Sequence, residues 1–145
     1  MKQAIIIGAS SGIGWELGVQ LAAKGYQLGL MARRDKCLEK LADSLPGTHF
    51  IQTTDVANAE QAQEELNDLI ERMGDVELII VNSGVGSKEK RLDWIIEREM
   101  IDVNIRGFAA MSLVAMNYFV KRGGGHLAGV SSAAAHFSGG LTLTY

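Results

Sequence analysis

Gly8, Gly12 and Gly14 follow directly on the apolar run Ala4-Ile5-Ile6-Ile7 and open a stretch of helical periodicity. Gly8 allows a sharp turn at the end of a strand. Gly12 and Gly14 remove side chains where backbone must approach a pyrophosphate and where helix must pack on strand. The helix that follows presents unpaired N–H groups and the positive end of its dipole, which suits a phosphate. Ser10 and Ser11 can add hydroxyl donors to that turn, and Ile13 completes its set of candidate binding residues. A second group, Arg33-Arg34, follows the apolar segment Gln27 to Ala32. A guanidinium matches phosphate geometry in a bidentate way. At this place in a dinucleotide-binding unit an acidic residue would hold the ribose 2′-hydroxyl, and an arginine accommodates a 2′-phosphate. Here Ala32 is followed by Arg33, so the pattern favours NADP(H). A third group is Ser132 and Tyr145, thirteen positions apart, beyond the turn Gly123-Gly124-Gly125.

These residues need a scaffold, and the chain alternates strand and helix signals throughout. Strands are expected at Ala4 to Ile7, Gln27 to Ala32, Thr48 to Thr53, Glu77 to Val81 and His126 to Val130. Ile13, Leu17 and Leu21 recur every four residues, which predicts a helix over Ile13 to Lys24 closed by Gly25. Further helices are expected over Asp35 to Ser44 and Asn58 to Met73, the second capped by Asn58 or Asp55. A polar loop spans Ser83 to Lys90, and Arg91 to Arg122 reads as two helices. The strands are too apolar to face water, so they imply an α/β fold with a parallel sheet covered on both faces. Right-handed crossovers make it doubly wound, with ligands at the carboxyl ends of the strands, and the expected strand order is 3-2-1-4-5.

At 145 residues there is room for one domain, residues 1–145, with a sizeable core. The formal net charge of -3 excludes the basic face that a nucleic-acid binder needs. No unbroken run of eighteen apolar residues suggests a membrane span, and the N-terminus leads straight into a strand instead of a targeting segment, so a cytoplasmic location is expected. The single cysteine, Cys37, forms no internal disulfide. His49, His126 and His136 lack metal-ligand spacing. His49 and His126 begin strands and read as structural, whereas His136 and Phe137 lie between Ser132 and Tyr145. Met100, Met111 and Met116 fall at spacings expected of a core.

The spacing G-x-x-x-G-x-G after the first strand, with Ser132 and Tyr145 at the far end, resembles the short-chain dehydrogenase/reductase family. The resemblance covers the whole chain and implies a Rossmann-type domain. It places Asp55-Val56 near the adenine. It also reads Val81-Asn82-Ser83-Gly84 as a degenerate form of the family's N-N-A-G, in which Asn82 ties neighbouring strands and Gly84 leaves room for the cofactor ribose. The family's catalytic asparagine, serine and tyrosine correspond to Asn104, Ser132 and Tyr145. Ser131 is then the bland neighbour, expected to face the core.

The resemblance implies hydride transfer between a nicotinamide and a small carbonyl or alcohol substrate. Ser132 would orient the substrate oxygen, and Tyr145 would donate or remove its proton. A free tyrosine has a pKa of about 10, and bringing it near 7 takes about 4 kcal/mol. In the family a lysine four residues after the tyrosine supplies much of this. That position would be 149, so these 145 residues are expected to be inactive alone, with part of the family fold absent and the fifth strand left as an apolar edge. The complete family member is expected to be a homo-oligomer. The competing reading is a non-catalytic dinucleotide-binding protein or sensor. An S-adenosylmethionine methyltransferase also opens with a glycine-rich turn, but it would carry an acidic residue where Arg33 stands.

Overall fold

The computed structural model describes residues 2–86 and 93–133. Strands β1 (Gln3–Ile7), β2 (Gln27–Ala32), β3 (Phe50–Thr53), β4 (Leu78–Val81) and β5 (His126–Gly129) form one sheet in the order β3-β2-β1-β4-β5. Every pairing is parallel, with Ile5 opposite Gly29 on one side and Ile79 on the other. β1 lies in the middle with Ala4 to Ile7 buried, as an unbroken apolar run requires when both faces are covered. At the other extreme, among the described residues, β5 pairs with β4 alone and is largely exposed.

Helices α1 (Gly12–Ala23) and α2 (Asp35–Ser44) cover one face, and α3 (Ala59–Met73) and α5 (Phe108–Arg122) the other. On α1 the fully buried residues are Gly14, Gly18 and Ala22, while Leu17 and Leu21 are partly buried and pack against the same core and Ile13 is exposed. A helix that follows a glycine turn this closely lies against the sheet, and only small residues fit beneath it. A Cβ on Gly18 would already stand 3.2 Å from the Leu41 side chain. Met100 and Met111 are buried as expected, but Met116 is 50% exposed on the outer side of α5.

The expected pair of helices over 91–122 is instead a continuous helical segment from Trp94. It comprises α4 (Trp94–Met100), a π-helical stretch Ile101–Gly107 and α5. Asp93 caps its start by accepting from the Ile95 N–H at 2.9 Å. By length and composition this segment could cross a membrane, but Met111, Val114, Ala115 and Phe119 instead pack in the core with α3 and the sheet. Two exposed ion pairs pin its neighbours. Arg106 meets both carboxylate oxygens of Glu60 at 2.8 Å, and Arg122 meets Asp75 at 2.6 Å. Glu60 is held below the usual carboxylate range by backbone hydrogen bonding at the start of α3 and then by Arg106. Asp75 is lowered chiefly by its hydrogen bond from Arg122.

Candidate functional site

All the carboxyl ends of the strands open on the same edge of the sheet, and a cleft runs along it. One part, about 310 Å³, is lined by Gly8, Ser10, Ser11, Arg33, Arg34, Thr54, Asp55, Val56 and the 82–85 segment. A second hollow of about 580 Å³ is lined by Ile13, Asn104, Ile105, Phe108 and residues 130–133. Asn82, Ser83 and Gly84 line both, so they form the saddle between the two parts.

The turn after β1 is built by close backbone approach. Gly8 has a φ of 98°, and a Cβ there would lie 2.7 Å from the Ser83 nitrogen. Gly14 has no room for a side chain, because a Cβ would collide with the Gly8 carbonyl oxygen and stand 2.6 Å from Asn82 Nδ2. Asn82 Nδ2 donates to that same Gly8 oxygen at 3.0 Å. The amide therefore joins the end of β4 to the turn after β1, the tie expected of it. Gly12 differs. Its φ of 57° favours glycine, but the space where a Cβ would point is open.

Arg34 reaches back over this turn. Its guanidinium donates to Ser10 Oγ at 2.9 Å and to Ser11 Oγ at 2.6 Å. Each serine keeps its own hydroxyl proton to donate, and Ser11, the N-cap of α1, makes no side-chain bond to its helix. The start of α1 therefore combines unspent backbone N–H groups, two hydroxyls and a guanidinium, a donor set that fits a phosphate-bearing ligand. Arg33 also lines the cleft, but its Nη1 lies 3.6 Å from Glu99 Oε1 on α4. Asp55 uses one oxygen to accept from the Ala57 N–H at 3.1 Å, a local turn that precedes α3. Asn58 is the N-cap of α3 without a side-chain cap bond, so neither expected capping side chain closes that helix end. Val56 is buried, and its carbonyl oxygen lies 2.6 Å from where a Cβ on Gly107 would be, which seats the π-helical stretch beside the first part of the cleft.

Asn104 sits in that stretch, where a widened helical turn re-aims a side chain. Its amide grips the backbone of Val85 from both sides. Asn104 Nδ2 donates to the Val85 carbonyl at 2.8 Å, and Oδ1 accepts from the Val85 N–H at 2.8 Å. The side chain thus fixes the 83–86 segment, whose Val85 lines the first part of the cleft and whose Ser83 and Gly84 line both. Ser132 is half-buried in the lining of that hollow, whereas Ser131, expected to face the core, is exposed because β5 ends at the sheet edge. Tyr145, His136 and Phe137 lie outside the described residues. His49 is structural, as expected, accepting from the Leu28 N–H at 3.1 Å.

Sequence reasoning did not pick out Thr54, Val85 or Glu99. Thr54 is 2% exposed and lines the cleft, and its position beside Asp55 was the signal available. Val85 takes part through its backbone, and Glu99 through a contact across 66 residues of sequence, so neither residue type announces itself.

The short chain dehydrogenase family model matches residues 2–145. The chain belongs to the short chain dehydrogenase family. An uncharacterized oxidoreductase of Myxococcus xanthus is 35% identical over 138 residues, covering 92% of this chain and 54% of its own length. The crystal structure of an alcohol dehydrogenase from the archaeon Thermococcus sibiricus, complexed with 5-hydroxy-NADP, is 35% identical. It superposes with a TM-score of 0.77 over 86% of this chain and 55% of that one. A 7α-hydroxysteroid dehydrogenase complexed with NADH is 25% identical, with a TM-score of 0.86 over 95% of this chain and 56% of its own. The chain therefore spans about half the length of the family relatives it matches.

Proposed function

We propose that this chain is the cofactor-binding part of an NADP(H)-dependent short chain dehydrogenase that interconverts a small carbonyl compound and its alcohol. The observation that carries the reading is the pair Arg33 and Arg34 lining the cleft where Ala32 replaces an acidic residue, with Arg34 bridged to Ser10 and Ser11. A 2′-phosphate would meet two guanidiniums there, and Ala32 itself sets no carboxylate against it. When bound, the nicotinamide supplies the hydride chemistry. In this reading Asn82 and Gly14 keep the turn open to the pyrophosphate, and Asn104 fixes the 83–86 segment between the two parts of the cleft through Val85. Ser132 orients the substrate oxygen, and Tyr145 exchanges its proton.

Fluorescence titration of the chain with NADPH and NADH tests the cofactor assignment. NADPH is expected to bind more tightly, and the Arg33→Ala/Arg34→Ala double variant to lose about tenfold in that preference, the scale of one charge-assisted hydrogen bond. Tighter binding of NADH, or an equal loss for both cofactors in the double variant, would refute the assignment.

A further inference from the structure

Both arginines at the end of β2 are engaged by protein groups, but the groups differ in kind. Arg34 is met by two neutral hydroxyls, which can stay in place when an anion arrives. Arg33 is met by a carboxylate, Glu99 Oε1 at 3.6 Å from Nη1, with the two side chains 51% and 57% exposed. Glu99 belongs to the last turn of α4 and stands far from Arg33 in sequence, so the fold brings a negative charge back to the place where Ala32 removed one. A carboxylate and a phosphate share charge and hydrogen-bonding demands, and they seek the same edges of a guanidinium.

We infer that Glu99 is a specificity-determining residue that competes with a ribose 2′-phosphate for the Arg33 guanidinium. The inference rests on the proposed reading of Arg33 as a phosphate ligand. NADPH must displace Glu99 from Arg33 or bind beside it, and either route opposes the phosphorylated cofactor. NADH brings a hydroxyl to the same place and leaves the ion pair intact. Glu99 therefore weakens NADPH selectively and narrows the preference that the two arginines create. Because the pair is exposed, the effect is modest, corresponding to about two- to fivefold in affinity, and it shrinks as salt screens the charges.

The test is titration of the full chain with NADPH and with NADH, in the parent, Glu99→Gln, Arg33→Ala and the Arg33→Ala/Glu99→Gln double variant. Glu99→Gln keeps the size of the side chain, and an unchanged melting midpoint checks that it folds. NADPH affinity is expected to rise about two- to fivefold in Glu99→Gln, with NADH unchanged and no rise in the Arg33→Ala background. Unchanged or weaker NADPH binding in Glu99→Gln overturns the inference. So does weaker NADH binding, which would make Glu99 a ribose ligand. An equal rise in the Arg33→Ala background also overturns it, because Glu99 would then act by general repulsion. If Arg33→Ala alone leaves the NADPH-to-NADH ratio untouched, Arg33 is not a phosphate ligand and the underlying reading fails at that residue. If the ratio falls while Glu99→Gln changes nothing, the competition alone is wrong.

Discussion

Asn104→Ala isolates the device that holds the 83–86 segment in place. The asparagine makes two hydrogen bonds of 2.8 Å to one residue, Val85, and the substitution leaves both the N–H and the C=O of that residue without their partner. An abandoned buried polar group costs about 1–3 kcal/mol. Val85 is half-buried, so water can reach part of it, and the lower end of that range applies to each group. The expected loss is then about 2 kcal/mol. For 145 residues the unfolding entropy is about 0.3 kcal/mol per degree, so the melting midpoint should fall by about 7 °C. Asn104→Asp should do no better, because it keeps an acceptor for the Val85 N–H but sets a second acceptor against the Val85 carbonyl. Circular dichroism melting gives the midpoint, and hydrogen exchange at the residue-85 amide shows whether that bond was the one lost. A fall below about 2 °C, well short of that scale, would refute the clamp. So would a full fall in which the residue-85 amide kept its protection, because the stability would then have come from elsewhere.

Two further perturbations separate other causes. Gly14→Ala forces a methyl group onto the Gly8 carbonyl and against Asn82 Nδ2, so overpacking and a lost hydrogen bond together should cost about 3 kcal/mol, or about 10 °C. Gly12→Ala meets open space and bears only the strain of its φ of 57°, about 1 kcal/mol. Equal melting shifts for the two variants would show that crowding is not what reserves position 14 for glycine. Asp75 offers a pH test. Its folded carboxyl is held below the ordinary value near 3.8 by the hydrogen bond from Arg122, so it binds a proton less readily folded than unfolded. Its contribution is fully present above the unfolded value and is lost as pH falls through the lowered folded one. Asp75→Asn should flatten the acid limb of a plot of melting midpoint against pH, as pH falls through and below the ordinary value near 3.8, with the largest difference from the parent at low salt. Parallel acid limbs would remove the Arg122 pair from the account.

Much of the fold was legible because its signals are local. The runs Ala4 to Ile7 and Leu78 to Val81 are continuous and apolar, and only a strand buried on both faces accounts for such short runs between glycine turns. Alternation and crossover handedness restricted the topology to a doubly wound parallel sheet, of which the expected order 3-2-1-4-5 is one of a few, without any knowledge of side-chain packing. The spacing of Ile13, Leu17 and Leu21 located helix α1 but not the residues that lie closest to the sheet, because periodicity locates large apolar residues, whereas the distance between helix and sheet selects small ones. Gly14, Gly18 and Ala22 form a repeat of four just as Ile13, Leu17 and Leu21 do, and no single-sequence pattern ranks one above the other. The π-helical stretch was invisible for a related reason. Its extra residue per turn leaves composition unchanged, and Ile101 to Gly107 reads as ordinary helix.

The site divides along the same line. Residue type announced the glycine turn and the arginines, because a phosphate-binding turn has few chemical solutions. It could not announce what each group touches. The guanidinium that crosses to Ser10 and Ser11 belongs to Arg34, while Arg33, the residue first matched to the phosphate, faces Glu99. Both contacts join segments that are remote in sequence. Asn104 makes the point more sharply. The family resemblance gave Asn104 a catalytic place, a position that can also be structural, and in the structure both ends of its side-chain amide are engaged with Val85. An amide committed to two short backbone bonds contributes by fixing the shape of the cleft. Substitution at Asn104 should therefore disturb stability and loop protection as well as any activity, and this combination distinguishes a positioning residue from one that works only on the substrate.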